Sequence, residues 1–345
     1  MNYPDFLNRL LNREDLPHAD MLMLMERVMG GHLTPAQIAA VLIALRVKGE
    51  TVTEIVAAAQ VMRALSAHVG VADDGHLIDT CGTGGDGTQT FNISTASALV
   101  AAAAGAKVAK HGGRSVSSTC GSADILEKLG VNVNLTPGQV AHCVDRIGLG
   151  FMFAPNHHSA MKYAAPVRRE LGVRTLFNLL GPLTNPAGAK QQVMGVFHKD
   201  LTGKLAQVLR ELGSQHVLVV HGSDGMDEIS ISAPTFIAEL KDGAVTEYTI
   251  APEQLGLQAA PLNAIRVADA EQARTMLLGV LDNQPGAARD IVLLNAGAAI
   301  YVAGLAPTLR SGVVSAGEVL ASGAARRKLD ALIETSHQVL RQPGS

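Results

Sequence analysis

Two glycine-rich segments on either side of one alanine-rich run restrict the fold of this chain more than any other feature. Between Asp79 and Ala123 the sequence contains DTCGTGGDGTQTFNISTASA and then AKHGGRSVSSTCGSA. The first segment follows a short apolar run at 76–78 that reads as a strand. It leads into a helical run at 93–104. A strand, a glycine turn and a helix in that order leave backbone N–H groups and the positive end of a helix dipole where an anion can sit. Two such loops in close succession point to a substrate with two separate phosphate groups. The second loop, with Lys110, His111 and Arg114, suits its more negative end.

Gly82, Gly84 and Gly87 spell GxGxxG, yet a dinucleotide site needs an acidic residue about 20 positions on for the ribose hydroxyls. No Asp or Glu lies between Asp86 and Asp124. A Walker A loop is excluded as well, because no GKS or GKT follows the glycines. Asp86 inside the loop would repel a bare phosphate. It therefore suits sugar hydroxyls or a site whose charge a cation balances.

At 345 residues the chain exceeds the usual reach of one core, so two domains are expected. The first 70 or so residues read as helices only. Thr34, Pro35 and Gln37 make a capping-box start after the Gly30–Gly31 stop, and Thr51 with Glu54 repeats the signal. The methionine-rich run at 21–29 reads as core or interface packing, since thioether metal sites come with nearby Cys or His. From residue 75, β-branched runs at 107–109, 131–135, 151–154, 192–197 and 217–220 alternate with helical stretches at 122–129, 137–147 and 201–212. The expected fold is α/β: a small all-helical domain plus a larger α/β domain with a mostly parallel central sheet flanked by helices. The Pro/Gly-rich FNLLGPLTNPAG interrupts the alternation and reads as a link between the two.

A net charge of -3 without a long basic run argues against a nucleic-acid surface. Cys81, Cys120 and Cys143 are too few and too scattered for a disulfide framework or zinc knuckle, and reduced cytoplasmic thiols are expected. The charged N-terminus lacks a signal-peptide core and no apolar run reaches spanning length, so neither secretion nor a membrane partner is expected. Asp227–Glu228, just beyond an apolar strand, forms a candidate Mg2+ site, because that hard cation takes one or two carboxylates together with substrate phosphates. An exposed, capped helix start is the simplest reading of His157–His158.

These motifs resemble those of the anthranilate phosphoribosyltransferases, which join anthranilate to phosphoribosyl pyrophosphate (PRPP). The resemblance continues through FAPNHHSAMKYAAPVRRELGVRTLFNLLGPLTNP and HGSDGMDEIS and spans nearly the whole chain. It implies direct displacement of pyrophosphate by the anthranilate amine, with Mg2+ and no covalent nucleophile. It also implies PRPP contacts from Gly82, Gly85, Asp86, Thr90, Asn92, Ile93, Ser94 and Thr95 in the first loop. From the second it implies contacts by Lys110, His111, Gly112, Gly113, Arg114, Ser115, Val116, Ser117, Ser118 and Ser122. Gly82, Gly113 and Arg168 are implied for anthranilate, and Ser94, Asp227 and Glu228 for the metal. Residues 1–72, joined by about 159–186, would form the helical domain and a homodimer contact. Residues 73–158 and 187–345 would bind PRPP. Gly113 departs from the family's KHGN, whose asparagine contacts anthranilate, and Ser159 stands where proline is usual. A pyrimidine nucleoside phosphorylase-like enzyme and a non-catalytic nucleic-acid-binding relative are the alternatives.

Overall fold

The structure, a computed structural model, describes residues 2–72, 75–114 and 120–341. Four helices open the chain: α1 (Tyr3–Leu11), α2 (His18–Met29), α3 (Pro35–Lys48) and α4 (Val52–Ala64). Both expected capping boxes form, Thr34 with Gln37 and Thr51 with Glu54. Each satisfies two N–H groups that the first helical turn leaves without partners. Met21, Met25 and Met29 are core residues, as the run at 21–29 implied. Glu54 has a second task beyond its cap. Its buried carboxylate accepts from the Leu16 N–H at 2.9 Å and pairs with Lys48 at 2.9 Å, joining the α1–α2 connection to the end of α3.

Seven strands form one sheet: β1 (Leu77–Asp79), β2 (Lys107–Gly112), β3 (Leu149–Phe153), β4 (Gln191–Gly195), β5 (His216–Gly222), β6 (Thr235–Lys241) and β7 (Ala244–Ile250). Their order is β3-β2-β1-β4-β5-β6-β7; the first five are parallel, and the β5–β6 and β6–β7 pairings are antiparallel. The β6–β7 hairpin was not anticipated, although its signal is present in the sequence. Asp242 and Gly243 have φ of 51° and 77°, the left-handed pair that a two-residue hairpin turn needs. The strand expected at 131–135 does not form. Val131, Val133 and Leu135 bury alternate side chains between helices Ser122–Lys128 and Pro137–Ile147, but no neighbouring strand pairs with them.

One face of the sheet packs on α5 (Ile93–Ala103) and on helices Ala287–Val302, Leu309–Ala321 and Ala324–Gln338. The Ala-rich sequence of α5 keeps its girth small where it is buried nearly all round. On the other face, Val217, Val219, Ala238 and Leu240 share a core with helix Leu201–Glu211 and with α1–α4. Helices Ala165–Leu171 and Phe177–Leu180 add Val167, Phe177 and Leu180 to that same core. Among the described residues no helix is long and apolar enough to cross a membrane.

Candidate active site

The parallel strands end on one side of the molecule, the usual place for a ligand in such a sheet. A cleft of about 400 Å3 opens there, lined by the β1–α5 turn, the end of β2, the start of helix Ser122–Lys128, the Asp227–Glu228 loop and segment 177–182. The turn requires glycine for two different reasons. Gly84, Gly85 and Gly87 have φ of 66°, 77° and 74°, which side chains disfavour. Gly82 and Gly195 are positions of close approach. A Cβ on Gly82 would lie 3.2 Å from Asp227 Oδ2, and one on Gly195 would overlap the Asp227 carbonyl.

Several bonds fix the shape of this turn. The Thr83 N–H donates to the Gly195 carbonyl and the Gly84 N–H to Asp227 Oδ2, both at 2.8 Å. From the helical side of the cleft, the Arg174 guanidinium donates to the Gly85 carbonyl and stacks on Phe197 at 4.1 Å. Arg46 of α3 in turn donates to the Arg174 carbonyl. At the head of α5, Asn92 does not cap its helix; its Nδ2 donates to the Cys120 carbonyl at 2.9 Å. The head of α5 thus points into the cleft without a cap from its own N-cap side chain.

The charges in the cleft are unbalanced. Asp227 and Glu228 line it beside Asp86, whose Oδ2 accepts from the Asp227 N–H at 3.4 Å. Burial, reinforced by repulsion from Asp86 at Asp227 and from Asp227 at Glu228, raises the proton affinity of both carboxylates. Lys110 is almost fully buried and its Nζ donates to the Thr80 carbonyl at 2.9 Å and to Ser94 Oγ at 3.2 Å. Among the described residues no group of three or more His, Cys, Asp or Glu is arranged to hold a metal alone. The donor set nevertheless fits Mg2+, which takes one or two carboxylates and completes its shell with phosphate and water.

Every described residue expected at the site lines this one cleft: Gly82, Gly85, Asp86, Thr90, the Asn92–Thr95 stretch, Lys110 to Arg114, Ser122, Arg168, Asp227 and Glu228. Ser115, Val116, Ser117 and Ser118 lie outside the described residues. Arg114 is not free for an anion; it pairs with Asp124 at 2.9 Å and Glu127 at 2.6 Å and lies over the Phe153 ring. Arg168 stacks on Phe177 at 5.5 Å, and burial lowers its proton affinity. A Cβ on Gly113 would meet nothing within 4 Å.

His157 and His158 are buried, not exposed as their helix-start position suggested. The His158 ring packs edge-on against His111 at 5.0 Å. Desolvation, with smaller repulsion from His158 and His157 at His111 and from His157 at His158, depresses His111 to about 3 and His158 to about 4. Phe177, Asn178, Gly181 and Pro182 also line the cleft and were read from sequence only as a link. Phe177, three residues after Arg174 at the start of a Pro/Gly-rich stretch, was the available sign.

The chain matches the family described as glycosyl transferase family, helical bundle domain, over residues 4–66, and glycosyl transferase family, a/b domain, over residues 74–326. It is 64% identical to the anthranilate phosphoribosyltransferase of Thiobacillus denitrificans, covering 96% of this chain and 97% of the relative. Identity to the enzyme of that name from Nitrosomonas eutropha is 62%, covering 96% and 98%. The crystal structure of the Thermus thermophilus anthranilate phosphoribosyltransferase superposes with a TM-score of 0.91 at 42% identity, covering 96% of this chain and 99% of the other. The Saccharomyces cerevisiae anthranilate phosphoribosyltransferase in complex with PRPP and Mg superposes with a TM-score of 0.87 at 26% identity, covering 97% and 98%.

The buried histidines set a pH dependence. Above the unfolded value of about 6.5 both folded and unfolded chains hold them neutral. Below it the unfolded chain takes up protons that the folded chain refuses, so stability falls with pH until the folded values are reached. His158→Asn should flatten this acid-side loss, by about 3 kcal/mol at pH 4 relative to pH 7. Denaturant unfolding of both proteins across that range is the measurement, and parallel curves would refute it.

Proposed function

The chain belongs to the anthranilate phosphoribosyltransferase family, and from that premise we propose that its cleft transfers the phosphoribosyl group of PRPP to anthranilate, releasing pyrophosphate, in tryptophan biosynthesis. The supporting observation is the pairing of two phosphate-type loops with a carboxylate pair in one cleft. The PRPP contacts we assign are Gly82, Gly85, Asp86, Thr90, Asn92 to Thr95, Lys110 to Gly113, Ser115 to Ser118 and Ser122. Asp227, Glu228 and Ser94 would hold Mg2+, which would neutralise the pyrophosphate leaving group and polarise its bridging bond. The positive end of the α5 dipole and the fixed backbone of the glycine turn favour phosphate oxygens, with no reorganisation required during reaction.

Arg168 grips the anthranilate carboxylate, a geometry for which a guanidinium is well shaped. Gly82 and Gly113 bound the acceptor pocket. With glycine at 113 in place of the family asparagine, acceptor affinity is lower than where that side chain is present. The amine attacks the anomeric carbon directly and no protein nucleophile is needed. The proposed division makes residues 1–72, joined by about 159–186, the helical domain, and 73–158 with 187–345 the PRPP-binding α/β domain.

The protein is proposed to be a cytoplasmic homodimer joined through its helical domain. Free thiols at all three cysteines suit a reducing compartment. An apolar groove of about 480 Å3 between α1 and α3 supports the dimer; Leu11 and Val47 on its walls are 64% and 67% exposed.

PRPP-dependent loss of anthranilate fluorescence with Mg2+ tests the activity and separates it from a nucleoside phosphorylase or a nucleic-acid-binding protein. Asp227→Asn with Glu228→Gln should abolish most turnover in a folded protein; wild-type kinetics at limiting Mg2+ would remove these residues from the metal site. Arg168→Ala should raise the anthranilate KM about ten- to a hundredfold, and Gly113→Asn should lower it up to about tenfold, with the PRPP KM little changed. Equal shifts for both substrates would refute the acceptor assignment. Leu11→Glu should convert a sedimenting dimer to monomer, and a wild type that sediments as a monomer would end that proposal.

A further inference from the structure

The sheet is split where the two loops emerge. β1 pairs with β2 only at Leu77↔Lys107 and Ile78↔Val108, whereas β2 continues beside β3 to Gly112↔Phe153. Beyond Ile78 the two strands diverge, and their tips carry the glycine turn on one side and Lys110 to Arg114 on the other. Buried backbone groups along such a split need partners.

Two side chains provide them. Asp79, 1% exposed at the end of β1, accepts from the His111 N–H through Oδ1 at 3.1 Å. Its Oδ2 accepts from Asn185 Nδ2 at 2.7 Å, and the same Nδ2 donates to the Ala109 carbonyl at 2.9 Å. Asn185 is 8% exposed and its amide orientation is fixed, because Oδ1 accepts from the Ala187 N–H at 2.9 Å. Neither residue lines the cleft.

We propose that Asp79 and Asn185 are positioning residues that hold the two phosphate loops at a fixed separation by bridging the split between β1 and β2. The inference rests on the PRPP reading above and adds residues outside the assigned contacts. A substrate with phosphates at both ends is sensitive to the distance between its two cradles, and a misplacement of about 1 Å carries a large penalty. The bridge also joins the loops to the chain returning from the helical side. Asn185 follows Pro182, whose carbonyl accepts from Gln192 Nε2 at 2.8 Å, and that Nε2 also reaches the Cys81 carbonyl.

Asn185→Asp is the discriminating variant. It keeps the shape and the Ala187 bond but sets a second carboxylate against Asp79. The charged or titratable groups around the pair are Lys110 and His111 of β2 and Cys81 of the following turn. At pH 8 both carboxylates repel, and Mg2+–PRPP affinity should fall about tenfold or more relative to wild type at the same pH. At pH 6 one shared proton restores a donor between them, so the ratio of variant to wild-type affinity should recover most of that loss. A ratio that is unchanged from 1 at pH 8, or that stays low at both pH values, overturns the proposal. Should Asn185→Asp not fold at pH 8, Asn185→Ser removes the donor without adding charge. Measured well below its melting temperature, it should lose PRPP affinity at both pH values, and wild-type affinity in a folded Asn185→Ser protein also overturns the proposal. Failure of wild type itself to bind Mg2+–PRPP would instead count against the functional reading.

Discussion

The cleft is organised around an excess of buried negative charge. Glu228, and Asp79 just behind the cleft, feel the field of Lys110, while Asp86 adds to the repulsion at Asp227 and Glu228. One ammonium cannot offset so many carboxylates in a medium where desolvation is costly. The fold spends local structure on containing this charge. Asp227 Oδ2 accepts from the glycine turn, Glu228 is held by the Ser94 N–H at the positive end of α5, and Asp79 is saturated by His111 and Asn185. What remains is a site that gains from an incoming cation, and a cation carried by a polyphosphate satisfies the donors and the carboxylates together.

Much of this was legible in the sequence because it depends on local rules. Glycines at positive φ, capping boxes and a strand–turn–helix order are short-range features, and the two loops and the helical N-terminus follow from them. The features that were not legible depend on distant partners. Arg114 reads as a phosphate cation until Asp124 and Glu127 come round to claim it. His158 reads as exposed until β2 places His111 against it, and His157 until its ring meets the Ala67 carbonyl. Nothing near Asn185 in the chain says that its amide will close a gap between two strands more than 70 positions away. The β6–β7 hairpin is different in kind, since Asp242–Gly243 announced it and the parallel pattern upstream obscured it.

Gly195 illustrates how backbone crowding serves the site. β4 runs so close to the Asp227 loop that no side chain fits at its last position. The same closeness lets its carbonyl accept from Thr83, so a single glycine aligns the first loop with the carboxylate pair. A methyl group there would displace both.

The bond from Arg174 to the Gly85 carbonyl has a thermodynamic corollary. Arg174 belongs to the stretch that packs with the helical bundle, and Gly85 to the glycine turn that lines the cleft. Since coupling free energies are reciprocal, any ligand that favours the Arg174-bound form of the turn must, to the same extent, favour approach of the helical bundle. Occupancy of the glycine turn and the position of the helical bundle are thereby linked variables, with one exposed guanidinium as part of the linkage.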